Sequence, residues 1–182
     1  VSFEGILPPA DWCYWQRDKD VEDHPWLPTG DGGDGLVERV EEGAFNGDWC
    51  YRVTIPSAPG YGHGLRQGGL CLRAGRKYTV SMYLRAEDLA GPVTVSLGHD
   101  YGGFVSAYRS AEVRGIPQEW TKFTAVLEPR ADDDRAELSI RVASTGTLWI
   151  DQVTLMPDDH VEGWRRDVIE AIRALKPRCL RF

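Results

Sequence analysis

From residue 49 onward, apolar and polar positions alternate in short runs separated by glycine, proline and aspartate. A period of two marks a strand with one buried face, because successive side chains on an extended backbone point to opposite sides. "WCYRVTI" places Tyr51, Val53 and Ile55 together. "GRKYTVSMYLRA" turns Tyr78, Val80, Met82 and Leu84 inward and leaves Thr79, Ser81, Tyr83 and Arg85 on the other face. "GPVTVSLGHD" sets Val93, Val95 and Leu97 against Thr94, Ser96 and Gly98. "WTKFTAVL" and "AELSIRVA" supply Phe123, Ala125, Leu127 and then Leu138, Ile140, Val142. In "GTLWIDQVTLMP" the alternation slips near Ile150-Asp151, which predicts a bulge. This spacing predicts an all-β fold, an antiparallel β-sandwich or jelly roll. Residues 1–48 are punctuated by Pro8-Pro9, Pro25, Pro28 and "GDGGDG", and read as loops with one or two short strands.

After Pro157 the period changes. "EGWRRDVIEAIRALKP" carries Trp164, Val168, Ile172 and Leu175 at spacings of four, four and three, an amphipathic helical stripe stopped by Pro177. "RCLRF" then reads as a strand. The expected organisation is a sandwich over 1–157 and a helix plus strand over 158–182. A strand–helix–strand change at the end of an all-β region suggests that a second fold begins there.

Composition narrows the partners. With 42% hydrophobic and 27% charged residues the chain reads as an ordinary globular protein. A net charge of -7 argues against nucleic acid and anionic membranes, which reward clustered Lys and Arg. No apolar run approaches the roughly 20 residues that span a bilayer. Val1-Ser2-Phe3-Glu4 lacks the charged start and apolar stretch of a secretory leader, although a mature or excised chain of a secreted protein fits equally. Cys13, Cys50, Cys71 and Cys179 include no C-x-x-C pair and read as buried free thiols.

Catalytic chemistry is not assembled by any motif. Asp132-Asp133-Asp134 reads as a solvated turn, "GDGGDG" lacks the Lys-Ser/Thr of a phosphate loop, and His24, His63, His99 and His160 lack metal spacing. Seven tryptophans and many exposed-face aromatics suit sugar binding, in which rings stack on the apolar face of a pyranose or furanose and flanking polar groups pair with hydroxyls. The candidate carbohydrate-binding residues are Tyr83, Arg85, Trp15, Trp26, Tyr101 and Tyr108, with Ser81, Thr94, Ser96 and Arg141 on outward strand faces and Tyr61 and Phe104 in loops. Trp12, Trp49, Trp120 and Trp149 read as core or inter-sheet filler. Asp151, inside an apolar strand, needs a metal, an arginine or backbone amides, because an unpaired buried carboxylate is costly.

"SFEG", "GRKYTVSMYLRA", "EWTKFTAVL" and "GTLWIDQVTL" occur in the order and spacing of the family 4/9 type of carbohydrate-binding module, a β-jelly roll that residues 2–156 resemble. The tail "IDQVTLMPDDHVEGWRRDVIEAIRALKPRCLRF" is similar to the junction in glycoside hydrolase family 51, the α-L-arabinofuranosidases and relatives. There a helix leads through "L-K-P-x-x-L-R-F" into a strand of the catalytic (β/α)8 barrel, and Pro-Gly-Gly normally follows. That resemblance implies a carbohydrate-binding or substrate-positioning module of a retaining arabinofuranosidase, with plant cell-wall polysaccharide and its own catalytic barrel as partners. The catalytic glutamates of such enzymes lie downstream of anything here. The alternative is a structural accessory domain that packs on the barrel and binds no sugar. The resemblance also implies a structural calcium held by Glu4, Asp151 and the Asn46-Gly47-Asp48 turn, including Asp48, with Asp31 and Asp34 a lesser site. A secreted or extracellular location is expected over a cytoplasmic one, and residues 177–182 are expected to pair poorly.

Overall fold

A computed structural model describes residues 26–176. Ten strands precede one helix: β1 (Leu27–Gly30), β2 (Leu36–Val40), β3 (Cys50–Ile55), β4 (His63–Leu72), β5 (Tyr78–Glu87), β6 (Val93–Asp100), β7 (Val105–Val113), β8 (Thr121–Leu127), β9 (Asp133–Val142), β10 (Gly146–Pro157) and α1 (Arg166–Leu175). They form two five-stranded sheets, β1-β4-β9-β6-β7 (sheet one) and β2-β3-β10-β5-β8 (sheet two). Every pairing is antiparallel. The alternation fixes which residues meet between the sheets. Val53, Val80, Met82, Leu84, Leu148 and Ile150 from sheet two face Leu65, Val95, Leu97, Leu138 and Ile140 from sheet one, all buried. Each such side chain contributes about 1.5–3 kcal/mol by leaving water. The two layers are therefore the predicted antiparallel sandwich.

Two strands escape the sequence pattern for opposite reasons. In β4 the alternation is broken by Gly68-Gly69, where the register against β9 shifts and Gly69 takes φ +74°. Strand β7 is an edge strand whose residues are mostly half-buried or exposed, so no apolar set repeats along it. The bulge in β10 lies where the slip predicts it: its register against β5 shifts between Asp151 and Thr154, and Gln152 sits at φ +50°.

Beyond Gly98, β6 no longer pairs with β9. A Cβ at Gly98 would lie 2.2 Å from the Ser106 carbonyl, so only glycine fits this crossing. Arg141 pairs across the sheet with Thr94, yet its Nη1 is 3.1 Å from Asp100 Oδ1. On a straight strand, six residues span about 20 Å. The β6–β7 hairpin tip consequently turns back over the outer face of sheet one.

The helix starts where the change of period predicts it and ends with Lys176 in the left-handed conformation at φ 48°. It buries no residue, and Trp164, Val168 and Leu175 are exposed. Arg76 ties its approach to the sandwich through Asp159 at 2.9 Å. The strand expected over 178–182 lies outside the described residues.

Candidate functional site

Sheet two presents an outer face on which the non-core positions of β3, β5 and β10 gather. Trp149 and Arg85 are direct cross-strand partners, and Trp149 also pairs with Arg52. The Arg85 guanidinium lies 4.0 Å from the Trp149 ring centroid and 5.5 Å from that of Trp120. Such cation–π placement holds a charged group on an aromatic floor. Among the described residues Arg85 donates to no protein acceptor, and its Nε is buried without a partner. Its outer nitrogens face an open groove of about 720 Å³, walled by Trp120, Gly43 and Gln118 and rimmed by Glu42, Glu87 and Glu119. Gly43 is required beside it: at φ +72°, a Cβ there would sit 3.0 Å from Arg85 Nη2.

The loop over residues 41–48 forms one end of this groove and is held from below by Asp151. Asp151 is fully buried, and Oδ2 accepts the amide hydrogens of Phe45 (2.9 Å) and Asn46 (3.2 Å), while Oδ1 accepts that of Gln152 (2.6 Å). Of the partners that the sequence left open for Asp151, backbone amides are present. Trp120 Nε1 donates to the Gly43 carbonyl at 2.9 Å and pins the other side of the loop. Phe45 stacks on Tyr83 with ring centroids 3.7 Å apart, so one face of Tyr83 is occupied. Burial, followed by the negative charge of Asp151, pushes the Cys50 thiol up to about 11, which keeps it neutral and unreactive.

The outer face of sheet one carries a different chemistry. Arg141 donates to Asp100 Oδ1 (3.1 Å) and to the carbonyls of Tyr61 (3.0 Å), Gly62 (2.8 Å) and Gly102 (2.6 Å). Asp100 also accepts from Thr29 (2.7 Å) and the Gly102 amide (2.9 Å), and its own amide donates to Glu137 (2.6 Å). This buried network fastens the hairpin tip. Nearby, Asp133 meets His99 at 2.7 Å and accepts from Tyr108 Oη at 3.0 Å and the Arg135 amide at 2.7 Å. Burial raises the Asp133 pKa, but these donors together with the His99 charge outweigh it and hold the carboxyl below its usual range.

Several sequence expectations are corrected here. Trp26 is 3% exposed within the core, so its ring offers no face to a sugar. Arg141 is committed to its buried acceptors rather than outward contact. Trp149 and Trp120 are not inter-sheet filler but the floor and wall of the outer groove, whereas Trp49 does pack against the core. Asp133 opens β9 in a bonded cluster instead of joining a solvated turn. Of the thiols, Cys50 is buried and Cys71 exposed. Tyr83 and Arg85 share one surface, Tyr101 and Tyr108 another. Trp15, Glu4, Cys13, Trp12, His24 and Cys179 lie outside the described residues. The signal for Trp120 was its parity: it shares the outward face of "WTKFTAVL" with Lys122 and Thr124, opposite Phe123, Ala125 and Leu127.

No protein-family model matches the chain. α-L-Arabinofuranosidase 1 of Arabidopsis thaliana is 32% identical over 117 residues, which cover 63% of this chain and 17% of that protein. α-L-Arabinofuranosidase 2 of the same plant is 30% identical over 119 residues with the same coverage. An extracellular exo-α-L-arabinofuranosidase of Streptomyces chartreusis is 32% identical over 127 residues, 68% of this chain and 14% of that protein. The chain thus spans less than a fifth of the length of these relatives. Among solved structures, an arabinose-bound family 51 α-L-arabinofuranosidase, MgGH51, superposes with a TM-score of 0.70 at 17% identity, covering 100% of this chain and 30% of that one. A family 4 carbohydrate-binding module superposes with a TM-score of 0.56 at 19% identity, covering 76% of this chain and 99% of the module. The homologues of this chain are therefore α-L-arabinofuranosidases, and its sandwich has the fold of a carbohydrate-binding module.

Proposed function

We propose that the sandwich over 1–157 is a non-catalytic carbohydrate-binding, substrate-positioning module of an α-L-arabinofuranosidase-like glycoside hydrolase acting on arabinose-containing plant polysaccharide. The observation that carries this reading is the Arg85 guanidinium, without a protein acceptor among the described residues, held between Trp149 and Trp120 at the floor of an open groove. Arg85 already covers the Trp149 ring, so the Trp120 indole is the face that takes the C–H side of a sugar ring. The Arg85 N–H groups donate to hydroxyl oxygens, and Glu42, Glu87 and Glu119 accept from hydroxyl hydrogens around the rim. No charge transfer or bond making is asked of these groups. The reaction of the parent enzyme, release of terminal α-L-arabinofuranosyl groups, falls to residues outside this chain.

Residues 158–182 are, on the same reading, the linking helix and first strand of the catalytic barrel. The exposed Val168 and Leu175 of α1, with exposed Trp164 just ahead of it, support this, since a helix with one apolar face and no buried residue needs a second surface to cover it. It equally favours the second reading, an accessory domain whose work is to pack on the barrel. Secretion is proposed with the first reading, and the extracellular relative supports it. Among the described residues no helix is long and apolar enough to cross a membrane.

A structural calcium held by Glu4, Asp48 and Asp151 completes the proposal. Its support is the buried Asp151 carboxylate beneath the turn at residues 45–48. The described residues alone gather no group of three acidic, His or Cys side chains, and the proposal takes Glu4 as the further carboxylate. The binding reading is tested by affinity electrophoresis of the 182-residue chain through gels containing arabinoxylan, arabinan or β-glucan. Retardation by an arabinose-containing polymer supports a binding module, and unchanged mobility in all three favours the packing domain.

A further inference from the structure

One end of the sandwich exposes three aromatic rings on loops braced from beneath by Arg141. Tyr61 is 69% exposed, Phe104 63% and Tyr101 40%. Tyr101 and Phe104 stack with centroids 4.9 Å apart. Tyr61 adjoins them, because a Cβ at Gly103 would lie 4.0 Å from its ring. Large aromatic side chains presented together at the surface mark interaction sites.

These loops are not free to wander. Arg141 binds the carbonyls of Tyr61, Gly62 and Gly102 from beneath, so one buried cation fixes both the 58–62 and the 100–104 loops. Tyr61 N donates to the Asp31 carbonyl at 3.1 Å, and Asp34 N donates to the Ala58 carbonyl at 2.9 Å, which ties in residues 31–35. Gly60 lies so close to this strap that a Cβ would meet the Gly32 carbonyl at 2.1 Å. A surface ordered before binding loses less entropy on binding.

The same cluster holds a carboxylate with no protein donor among the described residues. Asp31 Oδ2 lies 3.3 Å from the position a Cβ on Gly103 would take, beside Tyr61. That carboxylate selects among occupants. An apolar protein surface closing on these rings would strip water from Asp31 and give nothing back, a costly burial. A sugar supplies a C–H face for the rings and hydroxyl donors for the carboxylate together.

We propose that Tyr61, Tyr101, Phe104 and Asp31 form a second carbohydrate-binding site, separate from the Arg85 groove, which takes a terminal neutral sugar unit. A loop-tip platform with one polar flank suits a chain end, whereas the open groove on sheet two is a separate, larger surface. The proposal deepens the binding-module reading and rests on it. Two sites on one module raise retention on a polymer through effective concentration.

The test is a titration of the ¹⁵N-labelled 182-residue chain with arabinotriose, following amide shifts. Saturable shifts at Gly102, Gly103 and Tyr61 are expected, on a curve distinct from that at Gly43 and the Trp120 indole. Tyr61→Ala and Phe104→Ala, both exposed and therefore neutral to folding, are expected to weaken the loop-end curve about tenfold or more and leave the groove curve unchanged. Asp31→Asn weakens it while preserving the rings. Shifts confined to the groove, or loop-end shifts that survive the Tyr61→Ala/Phe104→Ala double variant, overturn the second site and leave the binding module standing. Loop-end shifts alone sustain this site and remove the groove. Shifts at neither overturn both.

Discussion

At the residue scale, Arg141 and Asp100 show how a surface-type pair becomes structural. Arg141 and Asp100 are almost completely buried, and the guanidinium donates to one carboxylate oxygen and three carbonyls. Removing one member of a buried pair leaves the other charge uncompensated, typically at about 3–5 kcal/mol. Arg141→Met is therefore expected to lower the unfolding free energy from urea denaturation by an amount of that order, with Arg141→Met/Asp100→Asn less damaging than the two single effects added. Asp133 carries a pH signature instead. Its folded pKa is depressed, so its contribution is present above the ordinary carboxylate range and is lost as pH falls through the folded value. Asp133→Asn is expected to cost about 1–2 kcal/mol at pH 7, the scale of a lost charged hydrogen bond, and progressively less as pH falls below the ordinary carboxylate range. A pH-independent difference in chemical denaturation contradicts that role. Neither pairing was legible from the sequence, since Arg141 alternates outward like a ligand contact. Its burial depends on a hairpin tip arriving from 41 positions away.

At the scale of elements, alternation located the strands that have one wet and one dry face. It was silent for β4, where Gly68-Gly69 breaks the register, and for the edge strand β7, where burial selects no apolar repeat. The bulge at Asp151 was readable because an acid interrupts an apolar strand, and it does local work. Its oxygens hold the amides of Phe45 and Asn46, which set the loop that walls the groove. Asp151→Ala is expected to release that loop, destabilise the chain by about 2–4 kcal/mol through lost charge-assisted bonds to buried amides, and weaken sugar binding at Arg85. Circular-dichroism melting and a binding isotherm on the same variant read both effects. If calcium shares this carboxylate, EDTA lowers the melting temperature, because an ion bound only by the native state stabilises it by about 2.7 kcal/mol at 100 times its Kd. An unchanged melting temperature removes the calcium from the proposal. Helix α1 was legible from Val168 to Leu175, as a stripe needs only a period of 3.6 and no knowledge of a partner, but Trp164, the first residue of the predicted stripe, pairs with Val161 ahead of the helix.

At the scale of the whole molecule, the two sheets share a core but have unlike outer faces. Sheet one is closed by its hairpin tip and a buried polar network, while sheet two stays open around Arg85. The fold class followed from periodicity, but the assignment of aromatics to faces did not. Trp26 lies in a proline-punctuated segment with no period to assign its face, and Trp149, although it alternates with the inward Leu148 and Ile150, reads as filler from its size rather than its parity. The proposal that this sandwich positions an arabinose-containing polysaccharide stands on the groove of sheet two. Its most direct test is isothermal titration of the 182-residue chain with arabinoxylan oligosaccharides, set beside Arg85→Ala and Trp120→Ala. The expected result is saturable binding by the parent chain and an affinity at least about tenfold lower, roughly 1.4 kcal/mol, in each variant. Equal affinity in all three proteins, or no heat of binding in the parent chain, contradicts it.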